Sequence, residues 1–320
     1  METRNPNVYM LTSVTSALGK AIAVGLAKTG GTVLLISPDP EYGAQVEKEI
    51  ITASQSPKVE VYLCDIGNLS SVRNLAEILR SKYDKIDILI NNSNVYRSRR
   101  TLTVDGYEEM FAANHLGPYL LVRLLEELLR ESGAGQVIHI TSPTTTELDF
   151  DDLHGQGQFN SLKAFHASQM ANLLITQELD RRMQSSGIRV NALHPGLVRS
   201  EIRKEASLPV RLLAWLFALS PARAAEEVVR LVTDPEFAHA HGKFFQKGGE
   251  LEYPAYALDT ANQQRLWEIS ERLTDAADRD PNYDPTGSVA MHKDKDIPAG
   301  LIRPQEDPVR TGRQIVEDQQ

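Results

Sequence analysis

Apolar positions along this chain fall into two alternating rhythms. Short runs with almost no polar interruption read as buried strands: VYMLT (8–12), TVLLIS (32–37), VEVYLCD (59–65), IDILINN (86–92), QVIHITS (136–142), IRVNALH (188–194) and GKFFQ (242–246). Between them, ALGKAIAVGLAKTG, EYGAQVEKEIITA and SSVRNLAEILRSKY repeat apolar residues at intervals of three and four, the mark of amphipathic helices. DGYEEMFAANHLGPYLLVRLLEELLRESG reads as one long helix ended by glycine. Further helices are expected over about 161–186 and about 208–234. Buried strands alternating with helices predict a mainly parallel sheet covered on both faces. Right-handed crossovers make it a doubly wound α/β fold of seven strands. Ligands in such a sheet bind beyond the carboxyl ends of the strands. Those ends are LTS (11–13), NNSN (91–94), ITSP (140–143) and HPGLV (194–198).

Composition narrows the function classes. With 320 residues, 41% apolar and 24% charged, the chain is an ordinary soluble globular protein. A net charge of −9 speaks against general nucleic-acid binding. The single Cys64 excludes an intrachain disulfide and fits a reducing, cytoplasmic setting. METRNPN leads straight into VYMLTS, too short for the core of a signal peptide, so none is expected. LLAWLFAL (212–219) is far below the roughly 20 residues of a spanning helix. It reads as a buried or lid helix, with peripheral membrane contact through Trp215 as the lesser alternative. Residues 1–275 are expected to form one domain with a substrate-side lid at about 200–222. From about 276 the text turns rich in proline and charge and reads as a largely disordered tail. No His, Cys, Asp or Glu spacing suggests a metal site.

Several segments together carry a likeness. They are LTSVTSALGKAIAVGLAKTGGTVLL, LCDIGNLSSVRNLAEIL, DILINNSN, TVDGYEEMFAANHLGPYLLVRLL, VIHITS, LDFDDLHG, AFHASQMANLLITQEL, IRVNALHPG, SPARAAEE and GKFF. Over about residues 7–275 the chain resembles the short-chain dehydrogenase/reductase family, in its retinol-dehydrogenase-like branch. The resemblance implies a Rossmann fold, an NAD or NADP site, and hydride transfer on an apolar carbonyl or alcohol.

It also assigns positions. The family loop TGxxxGxG falls on Thr12-Ser13-Val14-Thr15-Ser16-Ala17-Leu18-Gly19, where only Gly19 is kept, at the glycine that serves helix–strand packing. Ser13 and Ala17 put side chains where the family backbone approaches the pyrophosphate, so the nucleotide site is expected to be weakened or absent. The branch's 2′-phosphate arginine falls on Pro38, and the neighbouring Asp39 reads as a helix cap. Asp65 matches the aspartate near the adenine, or is a plain loop hydrogen bond. NNAG becomes Asn91-Asn92-Ser93-Asn94, with Asn94 for the glycine beside the ribose; asparagine tolerates a left-handed backbone there. Pro195-Gly196-Leu197-Val198 with Ser200 matches the loop that cradles the carboxamide, or is simple turn chemistry. Two members of the catalytic set are kept, Asn114 and Ser142. The acid–base tyrosine falls on Phe165 and the lysine that tunes it on Gln169.

Phenylalanine has no titratable proton and glutamine no charge, and a missing general acid costs about 10²–10⁴ in rate. On the same helix face, Ser161, Ser168 and Asn172 flank Phe165, and none is a useful acid. His166 is turned about 100° away. His194 reads as a packed loop residue, and the facing of His139 depends on strand parity. LDFDDLHG (148–155) and residues 207–219 match segments that line an apolar pocket in the branch. The departures at Ser13, Ala17, Asn94, Phe165 and Gln169 converge on one expected pocket, while helices and strands stay well patterned. The leading reading is therefore a non-catalytic relative that binds an apolar ligand or a partner. Helices 106–132 and 161–186 resemble the pairing helices of the family, implying a homodimer or a hetero-oligomer with a related subunit. The alternative is an oxidoreductase working by a departed mechanism, with Ser142 or water supplying the proton, and less favoured is a non-redox reaction in the same pocket.

Overall fold

The computed structural model describes residues 7–198 and 218–274. Seven parallel strands follow the expected apolar runs: β1 (Val8–Leu11), β2 (Thr32–Ser37), β3 (Val59–Leu63), β4 (Ile88–Asn91), β5 (Gln136–Ile140), β6 (Arg189–His194) and β7 (Phe244–Gln246). An eighth, β8 (Gly249–Glu250), pairs antiparallel with β7 and corrects the expected seven. Lys247 and Gly248, with φ of 51° and 71°, make the two-residue turn between them. Positive φ at both centres matches the twist of a tight hairpin. The sheet order is β3-β2-β1-β4-β5-β6-β7-β8, so the chain reverses direction across the sheet between β1 and β4.

Both sheet faces are buried, as unbroken apolar strands require. Leu11, Leu35, Ile90, Ile138 and Leu193 face one core, built with α1 (Ala17–Ala27), α2 (Pro40–Ser54) and a helix at Pro221–Thr233. Met10, Leu34, Leu89, Val137 and Val190 face the other, under α3 (Leu69–Lys82) and the helices that follow β4 and β5. The period of two sorts the two sets.

The expected single helix over 106–132 is four pieces: α4 (Glu109–Phe111), a π-turn (Ala112–Leu116), α5 (Gly117–Leu124) and α6 (Glu126–Arg130). Pro118 has no N–H to return to the carbonyl four residues earlier, so a regular ladder cannot pass this point. Gly117 is pressed against the loop after β3, where a Cβ would lie 1.8 Å from the Ile66 carbonyl. After β5 comes α7 (Ser161–Met183), capped by Asn160 Oδ1 on the N–H groups of Leu162 and Lys163, with a 3-10 turn to Ser186. Of the helical text from about 208, residues 218 onward are described, and they form α8 (Pro221–Thr233). Residues 199–217 and 275–320, and with them Ser200, Trp215, most of the expected lid and the expected tail, lie outside the described residues.

Two helices close the described chain, α9 (Ala255–Leu258) and α10 (Thr260–Thr274), and neither is foreseen from apolar spacing. α10 docks on α5 and α7. Trp267 meets Tyr119 edge-on at 5.3 Å, between the guanidinium groups of Arg123 and Arg182 at 4.6 and 4.1 Å from its ring. Arg123 bonds Glu271 at 2.8 Å, and Ser270 bonds His115 at 2.8 Å. The two helix regions expected to pair with another subunit thus carry a helix of their own chain.

Candidate functional site

The carboxyl ends of β1, β4, β5 and β6 meet at the reversal of sheet order, where this fold places ligands. Thr12 joins two of them: its N–H donates to the Ile90 carbonyl at 3.0 Å, and its Oγ1 accepts from Asn92 N–H at 2.8 Å. Ser13 follows with φ of 55°, a left-handed conformation in which glycine is at ease and serine is not. Asn94 is not among the positive-φ residues, so the strained backbone falls at Ser13 rather than at the NNSN turn. Ser13 and Ser93 hydroxyls lie 3.1 Å apart, and Asn92 Nδ2 donates to the Ser13 carbonyl at 3.2 Å. A Cβ on Gly19 would lie 2.7 Å from that same carbonyl, so Gly19 is fixed by packing.

At the start of α1, the Ser16 hydroxyl accepts from the Gly19 N–H at 2.9 Å and satisfies one of the open donors of the helix end. Leu18 is buried in the core. Ala17 is exposed and borders a hollow of about 1120 Å³ along α1, α2 and α8, outside the strand-end cleft. Asp39 caps α2 through the Tyr42 N–H, and Asp65 Oδ1 accepts from the Gly67 N–H at 3.0 Å as a loop bond.

Asn114 sits in the π-turn and clamps the loop after β4 at both polar groups of one residue. Its Oδ1 accepts from Val95 N–H at 2.6 Å, and its Nδ2 donates to the Val95 carbonyl at 2.9 Å. The same Nδ2 reaches Ser168 Oγ at 3.0 Å. The residues on either side of Val95 are also pinned to α7. Gln169 Nε2 donates to Asn94 Oδ1 at 3.4 Å. The Tyr96 ring stands edge-on to Phe165 with centroids 5.8 Å apart, and its hydroxyl bonds Ser161 Oγ at 2.9 Å. Loop residues 94, 95 and 96 are thus held in turn by Gln169, by Asn114 with Ser168, and by Phe165 with Ser161.

Gln169 is buried, and the Thr141 hydroxyl donates to its carbonyl and Oε1, each at 3.1 Å. Ser142 is half-buried beside Thr141 and makes no hydrogen bond to another described residue. His194 Nδ1 donates to the Thr141 carbonyl at 3.1 Å, and burial holds its pKa below the usual value. Gly196 has φ of 85°, and a Cβ there would meet Leu219 at 3.1 Å. Pro195 is buried and Val198 bridges to Leu219. His166 is exposed. His139 turns away from the cleft to Thr176 at 3.1 Å, and burial lowers its pKa to about 4.

Phe165, Gln169, Asn94 and Asn114 therefore meet around the loop after β4, and Ser142 follows Thr141, which bonds Gln169. Tyr96 and Thr141 complete the group and were not singled out: the β4 loop delivers Tyr96 from elsewhere in the chain, and Thr141 adjoins the serine that drew attention. Leu148, Asp149, Asp152, Leu153 and Gly155 of LDFDDLHG line a cavity of about 480 Å³ with Phe111, Phe159, Ala164, Ala167 and Ser168, and Ser168 lies one helical turn from Phe165. Among the described residues, no three His, Cys, Asp or Glu side chains gather to hold a metal, and no helix is long and apolar enough to cross a membrane.

The doubly wound sheet with its strand-end cleft at the reversal of strand order is a Rossmann-type α/β fold. The family model for short chain dehydrogenase matches residues 7–210, and the chain belongs to that family. It is 35% identical over 276 residues to human retinol dehydrogenase 13, covering 82% of this chain and 83% of that protein. Human polyprenol dehydrogenase is 29% identical over 287 residues, covering 86% and 87%. Among solved structures, an uncharacterized protein from Mycobacterium paratuberculosis superposes with a TM-score of 0.66 at 26% identity, covering 85% and 96% of the two chains. A metagenomic short-chain oxidoreductase in complex with NADP shares the fold, with a TM-score of 0.57 at 23% identity over 73% and 93%.

Proposed function

We propose that this protein is a non-catalytic member of its family, using the inherited strand-end pocket to bind an apolar small molecule or a partner. The observation that carries this reading is the hydrogen bond from Gln169 to Asn94. Two side chains that replace a cationic lysine and a glycine are spent on each other, in the place where the family relay and ribose would meet. Phe165 packs against Tyr96 instead of presenting a hydroxyl.

The residues present fit a nicotinamide nucleotide poorly. Ser13 carries a Cβ and a hydroxyl tied to Ser93 at the glycine position, Ser16 already caps part of the helix end, and the ribose side has Asn94 bonded to the neutral Gln169 in place of the family's glycine and lysine. Retained Gly19 is accounted for by packing alone. The test is a thermal-shift and calorimetric titration with NADH and NADPH, followed by turnover on apolar aldehydes and quinones. No nucleotide binding and no turnover is the expected result. Nucleotide binding with turnover abolished by Ser142→Ala overturns the reading. The Ser142 hydroxyl, which bonds no other described residue, is what favours that second reading, an oxidoreductase in which Ser142 or water delivers the proton.

A role as partner subunit is part of the proposal, as a homodimer or with a related chain. Because α10 covers parts of α5 and α7, pairing uses what α10 leaves open.

A further inference from the structure

We infer that a water molecule is built into the protein between Asn91, His115 and His139, where it holds the root of the β4 loop from beneath the strand-end cleft. The site stands apart from whatever that cleft binds.

Asn91 and His139 are Cα partners at the ends of the adjacent strands β4 and β5. Leu89 and Val137, two residues before them, face the core under α5 and α7. Asn91 and His139 therefore point to the same side. There α7 presents Ser168, Asn172 and Thr176, buried and one turn apart. Ser168 meets Asn114 of the π-turn, and Thr176 meets His139. Between them, Asn172 lies beside His115, the residue after Asn114, and beside His139. His139 is near enough to His115 to oppose its protonation. Asn91, His115 and His139 are 3%, 0% and 2% exposed.

Hydroxyl partners fix both tautomers. Thr176 gives its one hydroxyl proton to the Asn172 carbonyl at 2.6 Å, so it accepts from His139 Nδ1–H at 3.1 Å. Ser270 gives its own to the Leu266 carbonyl at 2.8 Å, so it accepts from His115 Nε2–H at 2.8 Å. Burial keeps both rings neutral at pH 7. His139 Nε2 and His115 Nδ1 are then bare acceptors. Neither bonds a described residue, and neither do Oδ1 and Nδ2 of Asn91.

Buried polar atoms of native proteins are paired, with protein or with water. Water answers this set. It donates one proton to each imidazole and accepts from the Asn91 amide, and about three partners is usual for an internal water. These residues offer no carboxylate or thiolate to balance a cation, and their two lone pairs would repel an anion. Asn91 leads into Asn92, whose N–H bonds Thr12 and whose Nδ2 bonds the Ser13 carbonyl. A water on the Asn91 amide thus braces the base of the cleft from the core side.

The test is made on the full chain. Nitrogen-15 spectra of labelled histidines read the tautomers, and oxygen-17 relaxation dispersion counts long-lived internal waters. Wild type is expected to carry His139 as Nδ1–H and His115 as Nε2–H, with the other nitrogen of each shifted as a hydrogen-bonded acceptor. His139→Leu and Asn91→Leu should each lose at least one long-lived water. His241→Leu, at an exposed histidine, should lose none. The opposite tautomer at either ring, or acceptor nitrogens at the shift of a bare lone pair, overturns the inference. So does a folded His139→Leu protein that keeps every long-lived water. If neither leucine variant folds, the wild-type spectrum decides alone.

Discussion

Gln169 Nε2 reaches Asn94 Oδ1 across the gap between α7 and the loop after β4, at 3.4 Å, while Thr141 holds the Gln169 Oε1 from the other side. The glutamine is buried and neutral. Gln169→Lys alone should therefore place an ammonium in a site with no anion, costing roughly 3 kcal/mol of stability in urea unfolding. Because burial depresses the lysine pKa, raising the pH above that value should recover part of the loss. A Gln169→Lys protein as stable as wild type at pH 7 would mean that the site already accommodates charge.

Reconstruction should be cooperative. Phe165→Tyr with Gln169→Lys restores the relay but leaves Ser13 and Asn94 in the nucleotide path. Adding Ser13→Gly and Asn94→Gly should produce binding of NADH or NADPH by calorimetry, and turnover roughly 10²–10⁴ above the same protein with Phe165 retained. If the four changes bind no nucleotide, the obstruction lies in other residues.

Ser13 itself offers a backbone test. A side chain at φ of 55° is tolerated at a cost, and Ser13 recovers some of it through the Ser93 hydroxyl. Ser13→Gly should be neutral or stabilising by up to about 1 kcal/mol. Ser13→Val, β-branched and without the hydroxyl, should lose about 2 kcal/mol or more. Equal melting temperatures for the two variants would argue against the left-handed backbone.

Two buried histidines set an acid limit. Burial lowers the pKa of His115 to about 3 and of His139 to about 4, from 6.5. The unfolded chain binds these protons more readily, so stability is fully present above pH 6.5 and falls as pH drops toward 4. At pH 5 each should have withdrawn about 2 kcal/mol. Urea midpoints measured from pH 8 to pH 5 should follow that slope, and His139→Gln should flatten it.

The strands were legible because each is buried on both faces and so reads as an unbroken apolar run. Helix interruption was legible only in hindsight. Gly117-Pro118 sits inside a strong apolar period, and the π-turn before it is fixed by close approach to Ile66, a contact between distant parts of the chain. α10 was not legible because its buried side includes Gln263, Ser270 and Thr274: Gln263 donates to the Ala257 carbonyl of α9, Ser270 and Thr274 donate to carbonyls one turn back in α10 itself, and Ser270 also meets His115. In the site, the positions of Phe165 and Gln169 follow from helix register. Asn94 is placed beside them by the family resemblance, whereas Tyr96 is not, since register on one helix carries no information about which loop arrives to meet it.

The docking of α10 has a consequence for biosynthesis. Tyr119 and Arg123 are made long before Trp267 and Glu271, which cover them. Until residues 260–274 leave the ribosome, the growing chain carries an open aromatic and cationic face on α5 and α7, and chains fold from the N-terminus as they emerge. The helix that completes this face is the last described part of the chain to be synthesised. A transcript cut short before it would yield a sheet with its strand-end site formed and one flank adhesive, the form most prone to chaperone capture or to pairing with another unfinished copy.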